Sequence, residues 1–149
     1  MRQQSIDTGL IRILSVSPFR EDHSYLQRIL GHSKWKLDTA DHLQAAVALL
    51  QRHDTSVVIC ERDLMPGTWS DILEHTSRQP HPPSLVVTSR LVDERLWSEI
   101  LNRGAWDLIS KPFDRTELVH SIKSAWEHWR YQIQVTVNPA PMKVMKATG

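Results

Sequence analysis

Apolar and polar positions along the chain fall into blocks of changing period, and those blocks predict short strands separated by amphipathic helices. Ile11 to Val16 is an apolar run broken only by Arg12 and Ser15, and Pro18 ends it. From Arg20 to Leu30, the apolar residues Tyr25, Leu26, Ile29 and Leu30 recur at helical spacing, with Gly31 placed to stop the helix. Lys34 to Leu37 reads as a weak second strand. Asp41 is positioned to cap a second helix that carries Leu43, Ala46, Val47 and Leu50 on one face. Val57, Val58, Ile59 and Cys60 give the strongest strand signal, because a continuous, largely β-branched run predicts burial on both faces of a parallel sheet. Pro66-Gly67 marks a loop, and Trp69, Ile72 and Leu73 lie on the apolar side of a third helix. Pro80 to Pro83 leads into a fourth strand at Leu85 to Val87. Val92 to Arg103 predicts a helix with Leu96, Ile100 and Leu101 inward, stopped by Gly104. Trp106 to Ile109 is a fifth strand, ended by Lys111-Pro112. Asp114 then caps a last helix with Leu118, Ile122, Ala125, Trp126 and Trp129 on its inner side. The pattern dissolves after about Gln134.

Strands alternating with helices, five of each, predict an α/β fold in which a doubly wound parallel sheet is covered on both faces. Right-handed crossovers restrict its topology, and the functional crevice of such a sheet lies at the carboxyl ends of the strands where strand order reverses. The ends to inspect are Ser17-Pro18, Glu61-Arg62, Thr88-Ser89 and Ser110-Lys111. One domain is expected over residues 10–133, with an N-terminal extension at 1–9 and a flexible tail at 134–149 that contains Asn138-Pro139-Ala140-Pro141.

Composition narrows the classes of function. The chain has 149 residues and a formal charge of +1, so it lacks the basic footprint of a nucleic-acid binder. No apolar run reaches the length of a membrane span, and the polar start lacks a signal-peptide core. The single cysteine, Cys60, excludes an internal disulfide and fits a cytoplasmic protein. It reads as a small core residue in a buried strand, not as a nucleophile. The eight histidines show no paired metal spacing and read as solvated or locally hydrogen-bonded. Six tryptophans are many for this length. Trp126 and Trp129 fit the inner stripe of the last helix. Trp97 and Trp106 are harder to absorb and read as a partner face near the fourth and fifth helices.

At the strand ends the chain resembles the response-regulator receiver family of two-component signalling. The segment Gly104-Ala105-Trp106-Asp107-Leu108-Ile109-Ser110-Lys111-Pro112-Phe113 is similar to that family's Gly-Ala-Asp-Asp-Tyr-Leu-x-Lys-Pro-Phe, departing most at Trp106 and Leu108. Pro83 to Thr88 is similar to its fourth strand, which ends in Ser or Thr, and Val57 to Gly67 to its third strand and Pro/Gly loop. Thr39-Ala40 and Ala46 also fall where the family has a Thr-Ala step and a helix alanine. The resemblance runs from about Ile11 to Trp129. It implies a flavodoxin-like sheet of order 2-1-3-4-5 and a phosphoryl-accepting aspartate at the end of the third strand. It further implies two acidic residues that hold Mg²⁺ at the end of the first strand, a Ser or Thr and a Lys that grip phosphoryl oxygens, and an aromatic switch in the fifth strand.

Carried over residue by residue, the phosphoacceptor position is Glu61, with Asp63 as the alternative. The anion-gripping positions are Thr88 and Lys111, the acidic pocket is reduced to Ser17 and Pro18, and the switch aromatic is Leu108. Mg²⁺ needs hard oxygen ligands, and neither Ser17 nor Pro18 replaces a carboxylate, so Mg²⁺ binding is expected to be weak or absent and no other cofactor is expected. Glu61 has two readings: a built-in ion pair with Lys111, or a surface glutamate at a degenerate site. Asp63 reads as a displaced acceptor or as a residue that satisfies loop backbone N–H groups. Glu21 and Asp22 read as substitute metal ligands or as ordinary acidic residues of a helix first turn.

Together these readings give a stand-alone receiver-like domain, a pseudo-receiver. It is expected to act in a phosphorelay by protein–protein interaction, without conventional Mg²⁺-dependent aspartate phosphorylation and without turning over a substrate. The expected partner is another signalling protein, a histidine kinase or an output protein, with a homodimer as a further option and neither nucleic acid nor membrane involved. The competing reading is an active phosphoacceptor that uses Asp63 or Glu61 with atypical metal ligands.

Overall fold

A computed structural model describes residues 11–31 and 34–137. Strands and helices alternate as β1 (Arg12–Val16), α1 (Arg20–Leu30), β2 (Lys36–Ala40), α2 (Leu43–Arg52), β3 (Val57–Glu61), α3 (Trp69–Thr76), β4 (Ser84–Ser89), α4 (Glu94–Asn102), β5 (Asp107–Ser110) and α5 (Arg115–Val137). The strands form one parallel sheet of order β2-β1-β3-β4-β5. From β1 the chain steps outward to β2, then crosses back to β3 on the other side, so the reversal lies between β1 and β3.

The central strands β3 and β4 are buried along their whole length, as their unbroken apolar runs require. One core lies between the sheet and α2, α3 and α4, built on Leu14, Val16, Val58, Cys60, Leu85 and Val87. The other lies under α1 and α5, built on Ile13, Val57, Ile59, Val86 and Ile109. Successive residues of each strand feed opposite faces, which is the period-2 rule at work on both sides at once. Trp129 and Ile133 are buried and Trp126 partly so, in keeping with the inner stripe read from the sequence. Cys60 is fully buried, and that burial pushes its thiol well above the ordinary range.

The structure moves several expected boundaries, with α4 running Glu94–Asn102 and β5 Asp107–Ser110. β2 begins later than the Lys34–Leu37 reading, because its pairing with β1 runs from Arg12↔Lys36 to Val16↔Ala40. As an edge strand it is only partly buried, so its apolar signal is weak. Asp41 does not cap α2. His42 occupies the N-cap without a side-chain hydrogen bond, and the Asp41 carboxylate lies 2.7 Å from His42 Nδ1, which lowers its pKa. The last helix continues to Val137, past the predicted start of the tail at residue 134, since Ile133 extends the inner stripe into the core. The predicted N-terminal extension at 1–9 and the Asn138-Pro139-Ala140-Pro141 segment lie outside the described residues.

Candidate functional site

β3 and β4 pair in parallel with Glu61 opposite Thr88, so both side chains leave the carboxyl edge of the sheet on the same face. Thr88 Oγ1 donates to Glu61 Oε1 at 3.0 Å. Lys111 follows the last residue of β5, and its backbone N–H donates to Ser89 O, which fixes the start of its side chain beside β4. Its Nζ reaches Glu61 Oε1 at 2.7 Å. Glu61 and Lys111 are each only 7% exposed, so this is a buried ion pair.

A second carboxylate completes the contact. Asp22, 6% exposed in the first turn of α1, places Oδ2 at 2.8 Å from Lys111 Nζ. Ser17 Oγ donates to the same Asp22 oxygen at 2.7 Å and accepts the Phe19 backbone N–H at 3.0 Å. A hydroxyl can do both, whereas an ionised carboxylate only accepts. Ser17 thereby ties the β1–α1 turn together and holds Asp22 inward. The two carboxylates are built alike: each presents one oxygen to the ammonium, and that oxygen takes a further hydrogen bond from a hydroxyl. The Phe19 ring lies 4.7 Å from Nζ and adds a cation–π contact. His23 braces the turn from behind, with Nε2 donating to the Ser17 carbonyl at 2.9 Å and Nδ1 at 2.8 Å from Ser15 Oγ.

Of the residues singled out from the sequence, Ser17, Glu61, Thr88 and Lys111 are brought together. Pro18 is adjacent in the chain but lines a neighbouring cleft with Arg20, Ser24, Thr39 and Asp41. Asp63 is exposed beyond the end of β3, its carboxylate taken by the Arg62 guanidinium at 3.1 Å. Leu108 is buried in the core beneath α4. Glu21 is exposed and has the ordinary place of an acidic residue in a first turn, but its neighbour Asp22 does not. The sequence reading treated the two alike. The one signal that separates them is helical phase, since Asp22 shares a face with the buried Leu26.

The donor set does not suit Mg²⁺. That ion takes carboxylates at roughly 2.0–2.1 Å and keeps several waters, which needs room in front of the carboxylates. Here the end of β1 offers Ser17 and Pro18, which carry no carboxylate, and the two carboxylates that remain, Asp22 and Glu61, are both engaged by the Lys111 ammonium.

Trp97 and Trp106 are not brought together around one cavity. Trp97, 49% exposed, lies on α4. Trp106, 37% exposed, precedes β5 at the opposite, amino edge of the sheet. Its Nε1 donates to Ser124 Oγ at 2.7 Å, and its ring stacks on His128 with centroids 4.4 Å apart. The pair lines a groove of about 510 Å³ together with Leu73, Pro82, Pro83 and Arg103, and Trp97 is not among the lining residues.

The family model for the response regulator receiver domain matches residues 20–123. Among solved structures, the chain is similar to the signal receiver domain of a putative Luxo repressor protein from Vibrio parahaemolyticus. That likeness has a TM-score of 0.77 at 16% identity and covers 84% of this chain and 96% of that one. It is similar also to the signal receiver domain of an HD domain-containing protein from Pseudomonas fluorescens Pf-5, with a TM-score of 0.74 at 24% identity over 81% and 98% of the two chains. A CheY-like receiver domain protein from Methanospirillum hungatei JF-1 gives a TM-score of 0.73 at 18% identity over 83% and 98%. At these identities the likeness speaks for the fold. No curated protein matches the chain.

Proposed function

The chain belongs to the response regulator receiver domain family of two-component signalling, and we propose that within it this domain works as a phosphorylation-independent binding module. The observation that carries the proposal is the buried contact of Lys111 with Glu61 and Asp22. At the position the family gives to its acceptor aspartate, a glutamate already holds the lysine and the threonine that would otherwise grip a phosphoryl group. One carboxylate supplies a single negative charge where a phosphoryl group supplies about 1.5 to 2, so the match to an activated site is partial. With Leu108 in place of the family's switch aromatic, the fifth strand has no ring to reorient. The output is then a fixed surface presented to a signalling partner, a histidine kinase or an output protein, in the cytoplasm. No helix among the described residues is long and apolar enough to cross a membrane.

Incubation of the chain with acetyl phosphate and Mg²⁺, followed by intact mass measurement, tests this directly. The expected result is an unchanged mass. A phosphoryl gain that Asp63→Asn abolishes would replace the proposal with an active receiver using a displaced acceptor. A gain that Glu61→Gln abolishes would replace it with one that phosphorylates the glutamate.

A further inference from the structure

We propose that the segment Asn138-Pro139-Ala140-Pro141, which lies outside the described residues, docks back onto the last turns of α5. Its seat is the cleft between that helix and the loop at residues 80–82.

The cleft holds about 360 Å³ and is lined by Pro80, Pro82, Trp129, Tyr131 and Val135. Tyr131 and Val135 leave 64% and 43% of their surface exposed. Trp129 is 2% exposed and belongs to the same lining, yet its Nε1–H has no hydrogen-bond partner among the described residues. An indole nitrogen only donates, and buried donors are nearly always paired. The cleft therefore lacks both an apolar cover and an acceptor. The exposed side chains beside it, Tyr131 and Gln132, can turn and open a path to the indole.

A proline-bearing segment supplies both missing parts. Its rings pack on aromatic side chains, and its extended backbone has no internal hydrogen bonds, so its carbonyls are ready to accept. Reach favours the chain's own segment. α5 ends at Val137, just past Val135 in the lining, and the proline at 139 opposes any further turn of helix. From Val137 back to Trp129 the helix rises about 12 Å at ~1.5 Å per residue. Residues 138–142, extended, span about 15 Å at ~3.1 Å each, enough to turn and lie along the cleft. So short a tether gives the segment an effective concentration on the order of millimolar, which a second copy of the chain does not match in dilute solution. Pro82 and Gln132 line this cleft and the Trp106–His128 groove alike, so the docked segment borders the surface offered to a partner.

Disulfide trapping in the full chain, with oxidised glutathione, tests the proposal. Cys60 does not compete, because it is fully buried and its thiol is pushed well above the ordinary range. Ala140→Cys is combined in one variant with Gln132→Cys, at a lining residue, and in another with Gln134→Cys, at an exposed residue outside the lining. Gln134 is nearer in sequence, so an undocked segment closes that shorter loop at least as readily. Docking is expected to make the 132–140 bond within one chain form at least about tenfold faster than the 134–140 bond. Equal rates, or a faster bond at 134, overturn the proposal. Bonds formed chiefly between chains also overturn it and give the cleft to a second copy. A further readout leaves every described residue untouched. When Pro139→Asp and Pro141→Asp are combined, the Trp129 indole N–H signal in an NMR spectrum is expected to move upfield and its hydrogen to exchange faster, while the Trp97 indole signal stays in place. A Trp129 signal that does not move overturns the contact.

Discussion

At the carboxyl edge of the sheet, Ser17, Asp22, Glu61, Thr88 and Lys111 close over one another, whereas at the amino edge Trp106 and His128 line a groove open to solvent. The first region is held by charge removed from water, the second by ring stacking and one hydrogen bond at a half-exposed surface. Charges withdrawn from water must find partners, so each member of the first region constrains the others. Stacked rings at a surface impose no such condition, and their faces and edges remain available to another molecule. The edge that the family uses for chemistry is in this chain the more closed of the two, and the aromatic surface lies at the other end of the strands.

The sharpest way to break the comparison is to remove a charge from the closed region. Lys111→Met leaves two buried carboxylates facing each other and is expected to cost about 3–5 kcal/mol of stability. Glu61→Gln is expected to cost less, because Asp22 still holds the ammonium. In a double-mutant cycle from urea denaturation, the Glu61–Lys111 coupling is expected to be a few kcal/mol, well above the ~1 kcal/mol of an exposed pair. Coupling near zero would mean that the buried contact does not specify the edge.

At the open region the expected effect lies in binding. Trp106→Ala removes a half-exposed ring and one hydrogen bond, so its stability cost is expected to stay below about 2 kcal/mol. A co-purified partner that uses this groove is expected to lose about 2 kcal/mol or more of affinity, measurable by calorimetry, since aromatic anchors dominate interfaces. A collapse in melting temperature would place Trp106 with the core instead.

The smallest expected effect is a pH dependence at the same groove. Partial burial lowers the pKa of His128, whose ring stacks on Trp106, from its ordinary value of 6.5. The unfolded chain then binds the proton more readily, so stability should fall as pH drops through the ordinary histidine range and level off below the folded value. His128→Gln is expected to flatten the difference in denaturation midpoint between about pH 7.5 and 5.5 relative to wild type. An unchanged slope would show that the stack does not desolvate the ring in solution.

Much of the architecture was legible along the chain, and the reasons are local. The β-branched run at Val57 to Cys60, the glycine at 104 and the inner stripe of the last helix each follow from period or backbone conformation. Gly104 closes α4 at φ 108°, a conformation other residues rarely adopt. Glu61, Thr88 and Lys111 were also legible as a set, since each lies at or next to the end of a strand and parallel strands deliver their ends to one edge. The weak points were elements without a strong local signal: the edge strand β2, whose place is set by pairing with β1, and the cap of α2, where Asp41 engages His42 instead of the helix.

What the sequence could not determine is which uncommitted polar residue completes the site. Glu21 and Asp22 are adjacent acids in the same first turn, and composition treats them as equals. Helix phase against the sheet turns Asp22 inward to Lys111, 89 residues away in the chain, and leaves Glu21 in water. Likewise, Trp97 and Trp106 look alike as surplus tryptophans, yet the fold sends one to the surface of α4 and the other to the amino edge of the sheet. Local pattern determines where strands and helices begin and end, because backbone preferences act over a few residues. The partners of a buried charge are decided by packing, because only the assembled sheet and helices bring distant carboxylates within reach of one ammonium and exclude the water that would otherwise solvate all three.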